Sequence, residues 1–76
     1  MSEQERVRVE IAFDGGQILG GFATVASAEQ LERALAAGGE GVVTLSLDDG
    51  DVTVAPRRVV YYKRFARESR VGFGQQ

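Results

Sequence analysis

Apolar and polar residues alternate strictly from Arg6 to Phe13, with Val7, Val9, Ile11 and Phe13 on one side and Arg6, Arg8, Glu10 and Ala12 on the other. A period of two predicts a half-buried strand. Asp14-Gly15-Gly16 follows, and because glycine supplies the positive φ of a tight turn, the next apolar run should return antiparallel to the first. That run, residues 17 to 25, alternates poorly. Ile18 and Phe22 fall on one side and Leu19, Ala23 and Val25 on the other, as in a strand buried on both faces. Gly20 and Gly21 in its middle predict a bend, a bulge or a close approach by another backbone.

At Ser27 the period changes to that of a helix. Ala28, Leu31, Ala34 and Leu35 form one stripe, and Glu29, Glu32, Arg33 and Ala36 mostly face away. Ser27 is the expected N-cap, with Gln30 closing a capping box, and Gly38-Gly39 is the expected stop, so the helix should run from about Ala28 to Ala37. Alternation returns at 42–47, where Val43, Leu45 and Leu47 oppose Thr44 and Ser46. The turn Asp48-Asp49-Gly50 then leads into a fourth strand at 51–55. Pro56 donates no ladder hydrogen bond and should end it, with a fifth strand from near Arg58 to Lys63 or Phe65.

The element order is therefore ββαβββ, an α+β domain whose five-stranded antiparallel sheet, open or curled toward a barrel, carries one helix. Alternation places Val59, Tyr61 and Phe65 on one face of the last strand and Val60 and Tyr62 on the other. Both faces want cover, and ten helical residues cannot supply it twice. Either the sheet curls and fills its own concave side, or a second subunit covers the remaining face. With only 76 residues the core is small, which favours self-association as a homodimer or small ring.

Composition narrows the chemistry chiefly by exclusion. The chain has no histidine and no cysteine, so a histidine-dependent triad, a thiolate nucleophile and a zinc site of the usual ligands are all removed. Ser27 is explained by the helix start, and Ser46 and Ser69 have no histidine to activate them. None of the glycine pairs forms a phosphate-binding motif. Asp48, Asp49 and Asp51 could offer oxygen ligands to a hard cation, but their spacing matches no calcium loop and Asp-Gly is an ordinary hairpin turn. The expectation is a protein that is not an enzyme and uses no cofactor or metal. No apolar stretch is long enough to span a bilayer, and the first ten residues resemble no secretory signal, which gives an expectation of a cytoplasmic protein with no membrane partner.

Charge is the uneven feature. Residues 1–56 hold three arginines against ten acids, a net of minus seven, whereas residues 57–76 hold six cations against Glu68, a net of plus five. The basic end is interleaved with rings, so Tyr61, Tyr62, Lys63, Arg64, Phe65, Arg67, Arg70 and Phe73 are the candidate interaction residues. Residues 1–65 are expected to form the domain and 66–76 a basic, glycine- and aromatic-containing tail. The leading expectation is a small non-catalytic module that self-associates and turns this end toward an acidic surface, such as that of Glu29, Glu32, Asp48, Asp49 and Asp51 on a neighbouring copy, or that of another protein. The runner-up is an RNA or DNA binder using the same end, with arginines on phosphates and rings on unpaired bases. A sequence pI near 5.0 argues for the first.

Overall fold

The computed structural model of the protein describes residues 5–66. Strands β1 (Arg6–Phe13) and β2 (Ile18–Thr24) are followed by helix α1 (Val25–Ala36), the hairpin β3 (Val43–Leu47) and β4 (Gly50–Val54), a short 3-10 turn at Pro56–Arg58, and strand β5 (Val59–Arg64). The ββαβββ order and the α+β class are as expected. All pairings are antiparallel, in the spatial order β4-β3-β2-β1-β5. The sheet is open: β4 and β5 end it, and it does not close into a barrel.

Helix α1 lies on one face of the sheet, which we call the inner face. Leu31 and Ala28 are fully buried there against Val9, Ile11, Ala23, Leu45, Leu47 and Val54. Leu35, Val7, Phe13, Leu19, Val59 and Tyr62 pack around this cluster. The helix begins three residues before the expected start, directly from β2 with no loop. Its N-cap is Thr24, whose hydroxyl oxygen accepts from the Ser27 amide at 3.2 Å. Ser27 instead sits in the first turn, where its Oγ donates to the Thr24 carbonyl and accepts from the Thr24 hydroxyl and from the Ser46 amide. A serine able to cap its own helix is thus used to tie that helix to β3. The stop is as expected: Gly38 and Gly39 have φ of +109° and +80°, and the Gly39 amide reaches back to the Ala34 carbonyl. Gly39 is doubly constrained, since a Cβ there would lie 3.2 Å from the backbone of Arg57.

Three expectations for the strands are overturned. The pairing of β2 with β1 runs in unbroken register from Thr24 opposite Arg6 to Ile18 opposite Ala12, so Gly20 and Gly21 mark no bulge. The irregularity lies between β1 and β5, where Ala12 faces Tyr61 but Phe13 faces Val59, leaving Val60 as an extra residue. Such a residue shifts the side-chain parity of its strand. Val59 is therefore on the inner face with Tyr62, while Tyr61 faces outward with Lys63 and Phe65. The third correction concerns β2, which is covered on one face only: Ile18 and Phe22 on its other face are 64% and 48% exposed.

Contact between β2 and β3 is brief. Ala23 opposite Leu47 is the only bridging pair the two strands share among the described residues, supplemented by the Asp48 amide donating to the Phe22 carbonyl. Below that junction the first hairpin and β4 part, and an open cleft of about 570 Å³ separates Phe13, Ile18 and Leu19 from Val52, Thr53 and Val54.

Candidate functional site

The side of the sheet that α1 leaves uncovered carries the candidate site. Pairing registers fix which side chains stand beside one another there. Across β2, β1 and β5 they form three rows: Ile18, Ala12 and Tyr61; then Gly20, Glu10 and Lys63; then Phe22, Arg8 and Phe65. Arg8 thus lies between two rings. Its guanidinium carbon sits 4.6 Å from the centre of the Phe65 ring, and the Lys63 ammonium lies 4.5 Å from the same centre. Both cations exploit the negative face of one ring. In the middle row Gly20 has no side chain, so the floor is low between Ile18 and Phe22. The carboxylate of Glu10 accepts a hydrogen bond from the Tyr61 hydroxyl, and this contact, together with burial and the nearby charge, raises the Tyr61 pKa above its ordinary value. At the edge of the site Val60 is 64% and Tyr61 44% exposed.

Of the residues singled out in the sequence, Tyr61, Lys63 and Phe65 meet on this outer face. Tyr62 and Arg64 do not. They point to the inner side, where both grip Glu32 of α1: the Tyr62 hydroxyl donates to Oε2 at 2.6 Å and the Arg64 Nε to the same oxygen at 2.9 Å. Partial burial, and then the hydrogen bond to Glu32, push the Tyr62 phenol up to about 12. Arg64 is thereby engaged within its own chain, and Glu32, expected to face away from the sheet, is half-buried. Arg67, Arg70 and Phe73 lie outside the described residues. Sequence reasoning missed Arg8, Phe22 and Ile18 as members of the site. The signal was available for Arg8, an outward position of an alternating strand, but not for the other two, whose strand reads as doubly buried.

Two clefts lie beside this face. The 570 Å³ cleft is lined mainly by apolar residues, with Gln17 and Thr53 among them, and its charged residues, Asp14 and Arg58, are ion-paired with each other at 2.9 Å. A second cleft of about 480 Å³ opens beside Arg6, Arg8, Arg64 and Phe65, but Arg6 is occupied with the carbonyls of Phe22 and Ser46, and Arg64 with Glu32. Asp48 and Asp49 form the loop of the β3–β4 hairpin. Among the described residues no group of three or more acidic side chains is placed to hold a metal ion. No described helix is long and apolar enough to cross a membrane. Compared with known proteins, the chain matches no family model, no curated protein and no solved structure.

Proposed function

We propose that this protein is a non-catalytic interaction module that self-associates and offers the aromatic and cationic outer face of β1, β2 and β5 to an acidic protein surface. The observation that carries this reading is the uncovered row Phe22, Arg8 and Phe65, with Lys63 on the same ring as Arg8. Aromatic anchors flanking an arginine are the residue types that concentrate binding energy in protein interfaces. A ring beneath a cation also holds it in place, so less side-chain entropy is lost when a carboxylate arrives. Self-association is favoured by a small core and by a sheet with one bare face and two open edges.

Light scattering behind gel filtration tests the first half: a mass above the 8.2 kDa protomer is expected at tens of micromolar, and a strictly monomeric protein would refute it. Titration of a labelled poly-glutamate peptide tests the second. Binding should weaken with salt and fall about tenfold or more in Arg8→Glu, as expected when a charge pair is replaced by like charges. Flat titrations of the wild type would remove the acidic-partner reading.

A second reading keeps the same face for single-stranded nucleic acid. It is favoured by three rings, Phe22, Tyr61 and Phe65, exposed or half-exposed beside Arg8 and Lys63, since bases stack on rings and phosphates pair with cations. Glu10 at the centre of the face counts against it. Labelled oligouridine in place of the peptide separates the two: salt-sensitive binding of oligouridine alongside flat poly-glutamate titrations would favour this second reading.

A further inference from the structure

Folding sorts the charges of this chain to opposite edges of its sheet. Strand β4 ends one side and carries the exposed carboxylate of Asp51, with Asp48 and Asp49 in the turn that leads into it; none of the three makes an ion pair among the described residues. Strand β5 ends the other side and carries the exposed Lys63, preceded by the exposed Arg57, while Arg58 and Arg64 are ion-paired with Asp14 and Glu32. Each terminal strand pairs on one flank only, leaving a row of backbone donors and acceptors that a further strand can complete. We propose that copies of this chain assemble head to tail, the β5 edge of one pairing with the β4 edge of the next; the inference rests on the self-association reading above.

Three features of the edges support it. Two β5 edges repel, two β4 edges repel, and a β5 edge attracts a β4 edge, so charge selects the unlike pairing and disfavours both like ones. The directions agree as well. Both β1–β5 and β1–β2–β3–β4 are antiparallel at every step, which makes β4 and β5 run the same way, so a neighbour that continues the sheet brings its β4 alongside β5 as a parallel pair. Finally, the faces agree. Tyr61 and Lys63 are outward on β5, as Asp51 and Thr53 are on β4, while Tyr62 and Val52 are both inward. In a continued sheet with Lys63 beside Asp51 on the outer face, the parallel register sets Tyr62 beside Gly50 and Arg64 beside Val52 on the inner one. A contact of this unlike-edge kind either closes into a ring or continues as a filament. In both cases the outer faces line up on one side, giving a multivalent surface for the partner.

Charge reversal and mixing test it. One variant carries Lys63→Glu with Arg57→Glu, making both of its edges acidic; the other carries Asp49→Lys with Asp51→Lys, making both basic. The positions are exposed, and circular dichroism with a thermal melt checks that each variant is folded. Each alone should associate at least about tenfold more weakly than the wild type, and an equimolar mixture should recover assembly, since each acidic β5 edge then meets a basic β4 edge. Asp51→Pro is a second β4 variant: alternation along the hairpin turns the Asp51 amide outward, so proline blocks the edge without removing a ladder bond, and this variant too should fail to assemble. If the Asp49→Lys, Asp51→Lys protein or the Asp51→Pro protein still assembles like the wild type, β4 is not at the contact and the head-to-tail inference falls while self-association stands. If mixing restores nothing, it falls also. If the wild type itself is monomeric, both readings fall together.

Discussion

Glu32 shows how one carboxylate joins two elements. It sits on α1 and receives the Tyr62 hydroxyl and the Arg64 guanidinium from β5, so the last strand is held to the helix by charge-assisted hydrogen bonds as well as by packing. The phenol must stay protonated to donate. Its folded pKa of about 12 lies above the unfolded value near 10, so the stabilisation is fully present below pH 10 and is lost as pH rises through 12. Because the group is only partly buried, the effect is on the order of 1 kcal/mol after allowance for screening. Ultraviolet titration of tyrosinate should show this phenol ionising late in the native protein, and Glu32→Gln should move its midpoint down. An unchanged midpoint would mean that Glu32 does not hold the phenol.

At the scale of the element, β2 is the least efficient part of the fold. Two glycines weaken the strand, yet neither has positive φ and neither is forced by space: a Cβ on Gly20 would meet nothing nearer than the Val9 carbonyl at 3.8 Å, and one on Gly21 would be in ordinary contact with Leu47. Gly20→Thr should therefore stabilise the protein, by about 0.5–1 kcal/mol, because it restores strand propensity and lowers the entropy of the unfolded chain. Thermal or urea denaturation measures this. The same change fills the low middle row of the outer face, so poly-glutamate binding should fall as stability rises. A variant that is less stable than the wild type would show that the glycine serves the fold.

For the molecule as a whole, the weak point is the junction of the first hairpin with β3 and β4. One bridging pair is supplemented there by side chains: Arg6 Nη1 donates to the carbonyls of Phe22 and Ser46 at 3.3 and 3.0 Å, and Ser27 accepts the Ser46 amide. The guanidinium acts as the missing rung of the ladder. Arg6→Met keeps the aliphatic stem and removes both hydrogen bonds, which should cost about 1 kcal/mol and lower the melting temperature by roughly 4–8 °C. Amide hydrogen exchange should rise first in β3 and β4. Uniform exchange across all strands would show that the sheet opens as a single unit.

Local rules were sufficient wherever one side of an element decides its pattern. Alternation in β1 and β3, the glycine turns, the double-glycine helix stop and the break at Pro56 are all legible because each depends on neighbours close in sequence. Composition likewise removed histidine and cysteine chemistry without any structure. Three decisions needed the tertiary fold. Thr24 takes the place of Ser27 as the helix cap, and the Ser27 hydroxyl instead accepts the amide of Ser46 on β3. The extra residue at Val60 reassigned the faces of β5, since a bulge is defined by its partner strand and leaves no period of its own in the sequence. The opposed acidic and basic edges also exist only in space: β4 and β5 are adjacent in sequence, separated by one short turn, and stand at opposite ends of the sheet because β3, β2 and β1 lie between them.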